Sequence, residues 1–258
     1  MSLIDLHCHI LPGVDDGAAD LSTALELAKA AVDQGVGHIL LTPHHMDRQY
    51  LNHKQELLNK VARFQTCIDE AQIPLTVFCG QEVHINGELI HAIETDDVLF
   101  MDEANRYLLL ELPHSDIPTY ASNLIFELVS RQIIPVIAHP ERNVIIQKNP
   151  EKLYELVSQG CLTQITAGSY LGIFGQEVER LTGKIIQANL GTVFSSDAHN
   201  FQGRRFLMKD AFDKLNQEYP EKTEVFKQNA KDIINGENVG PVNFKQIKEM
   251  TKKKFWLF

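Results

Sequence analysis

The chain has 258 residues, 44% hydrophobic and 22% charged, with a formal net charge of −10. That length can bury a sizeable core, and a single α/β domain of barrel size is expected over 1–258. The acidic balance excludes nucleic acid as a general partner, because phosphate backbones are bound by basic surface.

Leu3-Ile4-Asp5-Leu6 reads as an apolar strand reaching Cys8, and it runs through the pair His7 and His9 into a turn built on Pro12 and Gly13. Residues i and i+2 of an extended chain share a face, so His7 and His9 can grip one metal ion. Asp20 or Ser22 caps a helix through about Gln34, where Leu21, Leu25, Ala28 and Val32 recur at helical spacing and Gly35 stops it. A strand follows at His38 to Thr42, then a long amphipathic helix from Asn52 to about Ala71. Leu75 to Cys79 and Tyr107 to Leu110 are the third and fourth strands. After a helix near Tyr120 to Arg131 comes the strand Ile133 to Ala138, and a helix from Pro150 to Gly160 precedes the strand Leu162 to Ala167. A helix around Gln176 to Asn189 leads to the seventh strand, Thr192 to Ser196.

Seven apolar strands alternating with helices predict a parallel sheet covered on both faces, either a closed (β/α) barrel or an open doubly wound sheet. No Gly-rich dinucleotide fingerprint and no P-loop follows any strand, which disfavours nucleotide binding. Cys8, Cys67, Cys79 and Cys161 are scattered, without a C-x-x-C pair, and indicate neither a disulfide framework nor a zinc knuckle. No apolar run approaches the ~20 residues that span a bilayer. The N-terminus lacks a basic segment followed by an apolar stretch, so a cytoplasmic protein is expected.

Every strand except the sixth ends in a metal-type ligand. The first delivers His7 and His9, with Asp16 in the following turn. The second ends Thr42-Pro43-His44-His45, the third Gly80-Gln81-Glu82 and the fourth Leu110-Glu111-Leu112. The fifth ends Ala138-His139-Pro140-Glu141-Arg142, and the seventh Ser196-Asp197-Ala198-His199. In a parallel barrel these C-terminal ends converge on the face where active sites are built. A charged residue closing an apolar strand is costly unless paired or metal-bound, which makes Glu111 the most telling of the set. Imidazole and carboxylate together suit zinc, manganese or iron. Nine candidates exceed the needs of one ion and predict two or three clustered ions sharing a bridging carboxylate. Four carboxylates carry −4 against +6 for three divalent ions, so the occupied site would attract an anion such as phosphate. Arg142, and one of Arg204 and Arg205 with Arg204 favoured, stand beside these ligands and match phosphate oxygens with bidentate geometry.

Together, Asp5-Leu6-His7-Cys8-His9 through Asp15-Asp16-Gly17, Thr42-Pro43-His44-His45, Gly80-Gln81-Glu82, Ala138-His139-Pro140-Glu141-Arg142-Asn143 and Ser196-Asp197-Ala198-His199-Asn200 closely resemble the polymerase-and-histidinol-phosphatase superfamily. Within it the chain is similar to the bacterial metal-dependent tyrosine-protein phosphatases of capsule and exopolysaccharide gene clusters. The resemblance implies a distorted (β/α)7 TIM-like barrel with a three-metal cluster, commonly manganese. It also implies hydrolysis of phosphotyrosine on a tyrosine autokinase that regulates polysaccharide synthesis. It implies His7, His9, Asp16, His44, Glu82, Glu111, His139, Asp197 and His199 as metal ligands, Glu111 as the bridge, and Arg142 and Arg204 on phosphate. The short basic-aromatic ending at 252–258 is similar to that of some Gram-positive members, and membrane contact would be confined to it.

The expected mechanism is in-line attack on phosphorus by a metal-bridging hydroxide. His45 and a metal-bound water are the candidates for protonating the leaving group. Cysteine catalysis would need an arginine six positions after the nucleophile, and Val14, Ile73, Ile85 and Ala167 occupy those positions. A small-molecule phosphatase of the histidinol-phosphate type and a non-catalytic metal-binding module are the alternative readings.

Overall fold

The computed structural model describes residues 2–240 and 243–247. The expected basic-aromatic tail at 252–258 lies outside the described residues. In chain order the elements are β1 (Leu3–Cys8), α1 (Leu21–Asp33), β2 (Val36–Leu41), β3 (His44–His45), α2 (Lys54–Glu70), β4 (Thr76–Cys79), β5 (Glu82–His84), α3 (Leu89–Glu94), β6 (Tyr107–Glu111) and α4 (Ala121–Ser130). They continue with β7 (Ile134–Ala138), a 3-10 turn (Pro140–Arg142), α5 (Val144–Lys148), α6 (Glu151–Ser158), β8 (Leu162–Thr166), α7 (Ala167–Tyr170), α8 (Gln176–Gln187), β9 (Val193–Ser195), α9 (Met208–Glu218) and α10 (Pro220–Ile234).

The helices form where an apolar stripe repeats at helical spacing. The Asp20 carboxylate caps α1 by accepting from the Thr23 N–H, and α1 buries Ala24, Leu27, Ala28 and Ala31. Helix α2 buries Leu57, Val61, Phe64 and Ile68, each large side chain contributing about 1.5–3 kcal/mol of transfer free energy.

All strand pairs are parallel and fall into two sheets, β1-β2-β4 and β3-β5-β6-β7-β8-β9. The second and third expected strands therefore each divide between the sheets. Pro43 has no N–H to continue the ladder, so the chain leaves the first sheet after Leu41 and rejoins the second at His44. Gly80 makes the corresponding break; a Cβ there would lie 2.9 Å from Leu40 Cγ. The first and last strands also meet: Cys8 bridges Ala198, His9 N–H donates to Ala198 O at 2.9 Å, and Asp197 N–H donates to His7 O at 2.8 Å.

Most strands are buried on both faces, whereas β4 leaves Thr76 and Phe78 exposed. Along β6, Leu108 and Leu110 belong to the larger apolar cluster, whereas Tyr107 and Leu109 pack with Leu6, Leu40, Val136 and Val193 in a smaller one. Ala230 and Ile233 of α10 join that smaller cluster. The result is a single-domain mixed α/β fold with parallel strands, whose C-terminal ends carry the ligand-type residues together. Among the described residues no helix is long and apolar enough to cross a membrane.

Candidate metal centre

The nine side chains expected at one site lie together. His7 and His9 present their Nε2 atoms 3.0 Å apart at the end of β1, both fully buried or nearly so. Glu82 Oε2 stands 3.2 Å from His7 Nε2, 3.3 Å from His9 Nε2 and 3.0 Å from His44 Nδ1. Asp197 Oδ1 lies 3.4 and 3.6 Å from the same Nε2 atoms of His7 and His9. Asp16 Oδ1 is 3.3 Å from both His44 Nε2 and His199 Nε2. On the far side His139 Nε2 lies 2.8 Å from Glu82 Oε1 and 3.9 Å from Glu111 Oε1.

These separations fit divalent cations. Ligand atoms bound at about 2.1 Å and about 90–110° apart lie about 3.0–3.4 Å from one another. The donors fall into overlapping groups: His9, Asp16, His44 and His199; His7, His9 and Asp197; His7, Glu82 and His139; and His44, Glu82 and Glu111. Glu82 Oε2 is fully buried among three imidazole nitrogens and has no hydrogen-bond partner, as befits a metal-ligating oxygen.

The surroundings aim the imidazoles. His7 Nδ1 is 2.8 Å from Gln164 Oε1, His9 Nδ1 is 2.8 Å from Asp15 Oδ2, and His199 Nδ1 is 3.0 Å from Asp197 O. With the proton on Nδ1 donated to these acceptors, each Nε2 lone pair faces the cluster. Two of the grouped residues sit in left-handed backbone: His139 at φ 33° and Asp197 at φ 50°. For side-chain-bearing residues that conformation costs about 1–3 kcal/mol and persists where surrounding structure enforces it. Here the enforcement comes from Asp197 N–H on His7 O, and from Pro140 opening the 3-10 turn after His139.

Electrostatically the cluster draws positive charge. Burial opposes ionisation of Asp197, but Arg142, His7 and Arg204 hold its carboxyl well below the usual carboxylate range. Glu82 is likewise held low against burial by His7 and His44. Burial would depress His7 and His44, yet Glu82, with Asp197 beside His7 and Asp16 beside His44, raises them to about 9 and about 12. His199, with burial and the neighbouring His9 dominating, falls to about 4.

Arg142 NH2 meets Asp197 Oδ2 at 2.5 Å, and Arg204 NH2 meets Asp197 Oδ1 at 2.8 Å. Of the adjacent pair it is Arg204 that reaches the cluster, while Arg205 is exposed. The Nε donors of Arg142 and Arg204 are buried without a partner. The cluster forms the floor of a cleft of about 520 Å³, whose walls include Tyr50, His84, Leu112, His114 and Phe174.

His45, a candidate acid, is not part of that wall. It is buried beside His53, its ring nitrogens lack hydrogen-bond partners, and burial pushes it down to about 4. As neighbours on a strand, His44 and His45 point to opposite faces. Sequence reasoning missed Asp15, Gln164 and His84; His84 Nδ1 sits 3.2 Å from Glu111 Oε2. Asp15 lay within the first motif, next to Asp16. Gln164 stands on the one strand whose end offers no ligand, and no local pattern marks it.

The sequence matches the family described as "Capsular polysaccharide synthesis, CpsB/CapC" over residues 3–235. The chain belongs to this family. It is 37% identical over 253 residues to tyrosine-protein phosphatase YwqE of Bacillus subtilis, covering 98% of both chains. It is 27% identical over 243 residues to tyrosine-protein phosphatase CpsB of Streptococcus pneumoniae, covering 90% of this chain and 98% of that one. A crystal structure from work on YwqE of B. subtilis and CpsB of S. pneumoniae, described as unique metal-dependent tyrosine phosphatases, superposes with a TM-score of 0.92 at 37% identity. It covers 96% of this chain and 100% of its own. A mutant organophosphorus hydrolase from Deinococcus radiodurans shares the fold alone, with a TM-score of 0.55 at 12% identity over 90% of this chain and 93% of its own.

Proposed function

We propose that this member of the capsular polysaccharide synthesis family is a metal-dependent protein-tyrosine phosphatase. One observation carries the reading: nine imidazole and carboxylate side chains converge beneath a cleft beside two arginines whose Nε donors are buried and unpartnered. The relatives named as tyrosine-protein phosphatases support it over most of the chain's length.

His7, His9, Asp16, His44, Glu82, Glu111, His139, Asp197 and His199 are the proposed ligands of up to three divalent ions, manganese first, with iron or zinc as alternatives. Glu82, whose two oxygens face different imidazoles, would hold such ions together with Glu111. When bound, such ions would supply hydroxide near neutral pH and offset charge on phosphoryl oxygens. Arg142 and Arg204, oriented by Asp197, bind the phosphoryl group and hold fixed positive charge where negative charge develops. The leaving tyrosinate has a pKa of about 10, so it departs without a strong general acid. His45 is unsuited to that role, being turned away from the cleft.

The contacts between β1 and β9 support a seven-stranded distorted barrel closed at Cys8 and Ala198, in one domain over 1–258. The relatives named tyrosine-protein phosphatases support a phosphotyrosine protein as the partner, and a bacterial tyrosine autokinase is the narrower proposal. A cytoplasmic site of action accords with that partner. The test is hydrolysis of a phosphotyrosine peptide against histidinol phosphate by protein whose metal content is measured in the same sample. Preference for the peptide is expected. Preference for histidinol phosphate would assign the site to small-molecule chemistry, and no turnover under any divalent metal would leave only a binding module.

A further inference from the structure

β8 ends at Thr166 and gives no ligand-type residue to the cluster. The chain after it instead forms α7 and a tight loop that brings Phe174 into the cleft. Gly172 at φ 79° and Gly175 at φ 96° flank that phenylalanine, and the Ile173 N–H donates to Gly168 O at 3.0 Å. Phe174 lies against Gly168, where an added Cβ would stand 3.4 Å from the ring. Its ring centroid is 5.0 Å from the Arg142 guanidinium carbon.

A second aromatic ring lines the cleft. Tyr50 lines the same cleft with its ring nearly parallel to that of His44, 16° between planes and 5.9 Å between centroids. Asp47 Oδ1 fixes the backbone there, accepting from Gln49 N–H at 2.6 Å and Tyr50 N–H at 2.5 Å. One ring thus stands beside a phosphate-type arginine and the other beside a proposed metal ligand. Both are half-buried.

We infer that Tyr50 and Phe174 are specificity-determining residues that receive the phenyl ring of an aryl phosphate monoester, so that the cleft selects aryl over alkyl esters. The inference rests on the phosphatase reading above. Flat aromatic walls gain from a ring's apolar area and from offset or edge contacts, and gain little from an alkyl group. Apolar contacts of this size discriminate by roughly ten- to a hundredfold. Leu112 adds buried apolar wall between the acidic end of β6 and the cleft.

The test uses manganese-loaded protein and two non-hydrolysable probes, phenylphosphonate and methylphosphonate, with each Kd measured by calorimetry. The wild type should bind phenylphosphonate at least tenfold more tightly, and Tyr50→Ala and Phe174→Ala should each reduce that preference at least threefold. Tyr50→Phe should keep it, since a ring remains, and Phe174→Leu serves where Phe174→Ala fails to fold. Taking the ratio of the two probes removes any effect of Phe174 on Arg142 itself. A wild-type ratio near one, or a ratio untouched in the variants, would overturn the aryl-binding role. Hydrolysis of a phosphotyrosine peptide by the same wild-type sample separates the two levels: an active enzyme with an unmoved ratio overturns this inference alone, whereas an inert one overturns the phosphatase reading with it.

Discussion

The Nδ1 of His9 meets Asp15 Oδ2 at 2.8 Å, and the same oxygen accepts from the His44 N–H at 3.3 Å. One carboxylate outside the proposed ligand set thereby orients one imidazole and fixes the backbone of another. Such supporting groups raise ligand basicity and typically account for 10–100-fold in metal affinity. Asp15→Asn should therefore weaken metal binding about tenfold or more while leaving the fold intact. Metal titration followed by thermal melting checks this; unchanged affinity would mean that Asp15 serves only the turn.

Asp197 accepts a hydrogen bond from Arg204 at Oδ1 and faces the Arg142 guanidinium as an ion pair at Oδ2. Arg142→Ala should cut kcat/KM on a phosphotyrosine peptide by at least about a hundredfold, in line with the loss of a fixed charge at developing negative charge. Inhibition by inorganic phosphate should weaken in parallel, while metal content stays at the wild-type level. Loss of metal on this substitution would instead give Arg142 the task of positioning Asp197.

His45 yields a pH prediction with a definite sign. Burial lowers it from 6.5 to about 4, so the unfolded chain takes up the proton first as pH falls. Its contribution to stability is complete above pH 6.5 and is lost as pH falls toward about 4. His45→Leu removes that titration. Urea denaturation of chelator-treated protein at about pH 7.5 and about pH 4.5 should show the variant gaining on the order of 2–3 kcal/mol relative to wild type at the acid point. Parallel curves for the two proteins would refute it.

Cysteine chemistry has no place in the proposed site. Cys8, between the two histidines, is fully buried, and burial pushes its thiol up; Cys79 and Cys161 are both pushed up to about 12 for the same reason. Iodoacetamide should leave turnover within about twofold, whereas a chelator should abolish it. Inactivation by the alkylating agent at intact metal content would reopen thiol catalysis.

Much of this arrangement was legible in the sequence because it is written locally. An apolar strand ending in a ligand needs only a few neighbouring residues, so His7, His9, Glu82, Glu111, His139 and Asp197 could each be found from their own segment. Long-range facts were not. Gln164 meets His7 across 157 positions, and nothing near Gln164 announces that contact. The sequence favours Arg204 over Arg205, and the loop in which the Arg204 carbonyl accepts from the His199 and Asn200 N–H groups is what holds it at the site. The division of the second and third strands turned on Pro43 and Gly80, residues whose backbone effect appears only once neighbouring ladders are in register. Helices α9 and α10 carry an apolar stripe too; α9 packs Phe212 on Phe194 of the strand just before it, whereas α10 shares a cluster with Leu6 of β1, far back along the chain.

Gly17 links the first motif's turn to the site. A Cβ at Gly17 would lie 1.8 Å from the His9 carbonyl oxygen and 2.7 Å from His9 Cβ. The same carbonyl accepts from the Ala18 N–H at 3.0 Å, and Gly13 N–H donates back to Ala18 O at 2.8 Å, so the loop cannot yield without releasing both bonds. Gly17→Ala should therefore move Asp15 off His9 and Asp16 off His44 and His199, with loss of metal and at least a tenfold loss of activity. Gly13→Ala is the control. Gly13 sits at φ 68°, and its added Cβ would find only Ala19 O at 3.6 Å. It should cost about 1–2 kcal/mol of backbone strain without loss of metal. The decisive comparison is the metal-induced rise in Tm, which should shrink for Gly17→Ala and persist for Gly13→Ala. Equal shrinkage in both would mean that loop stability alone, and not the close approach at His9, governs the site.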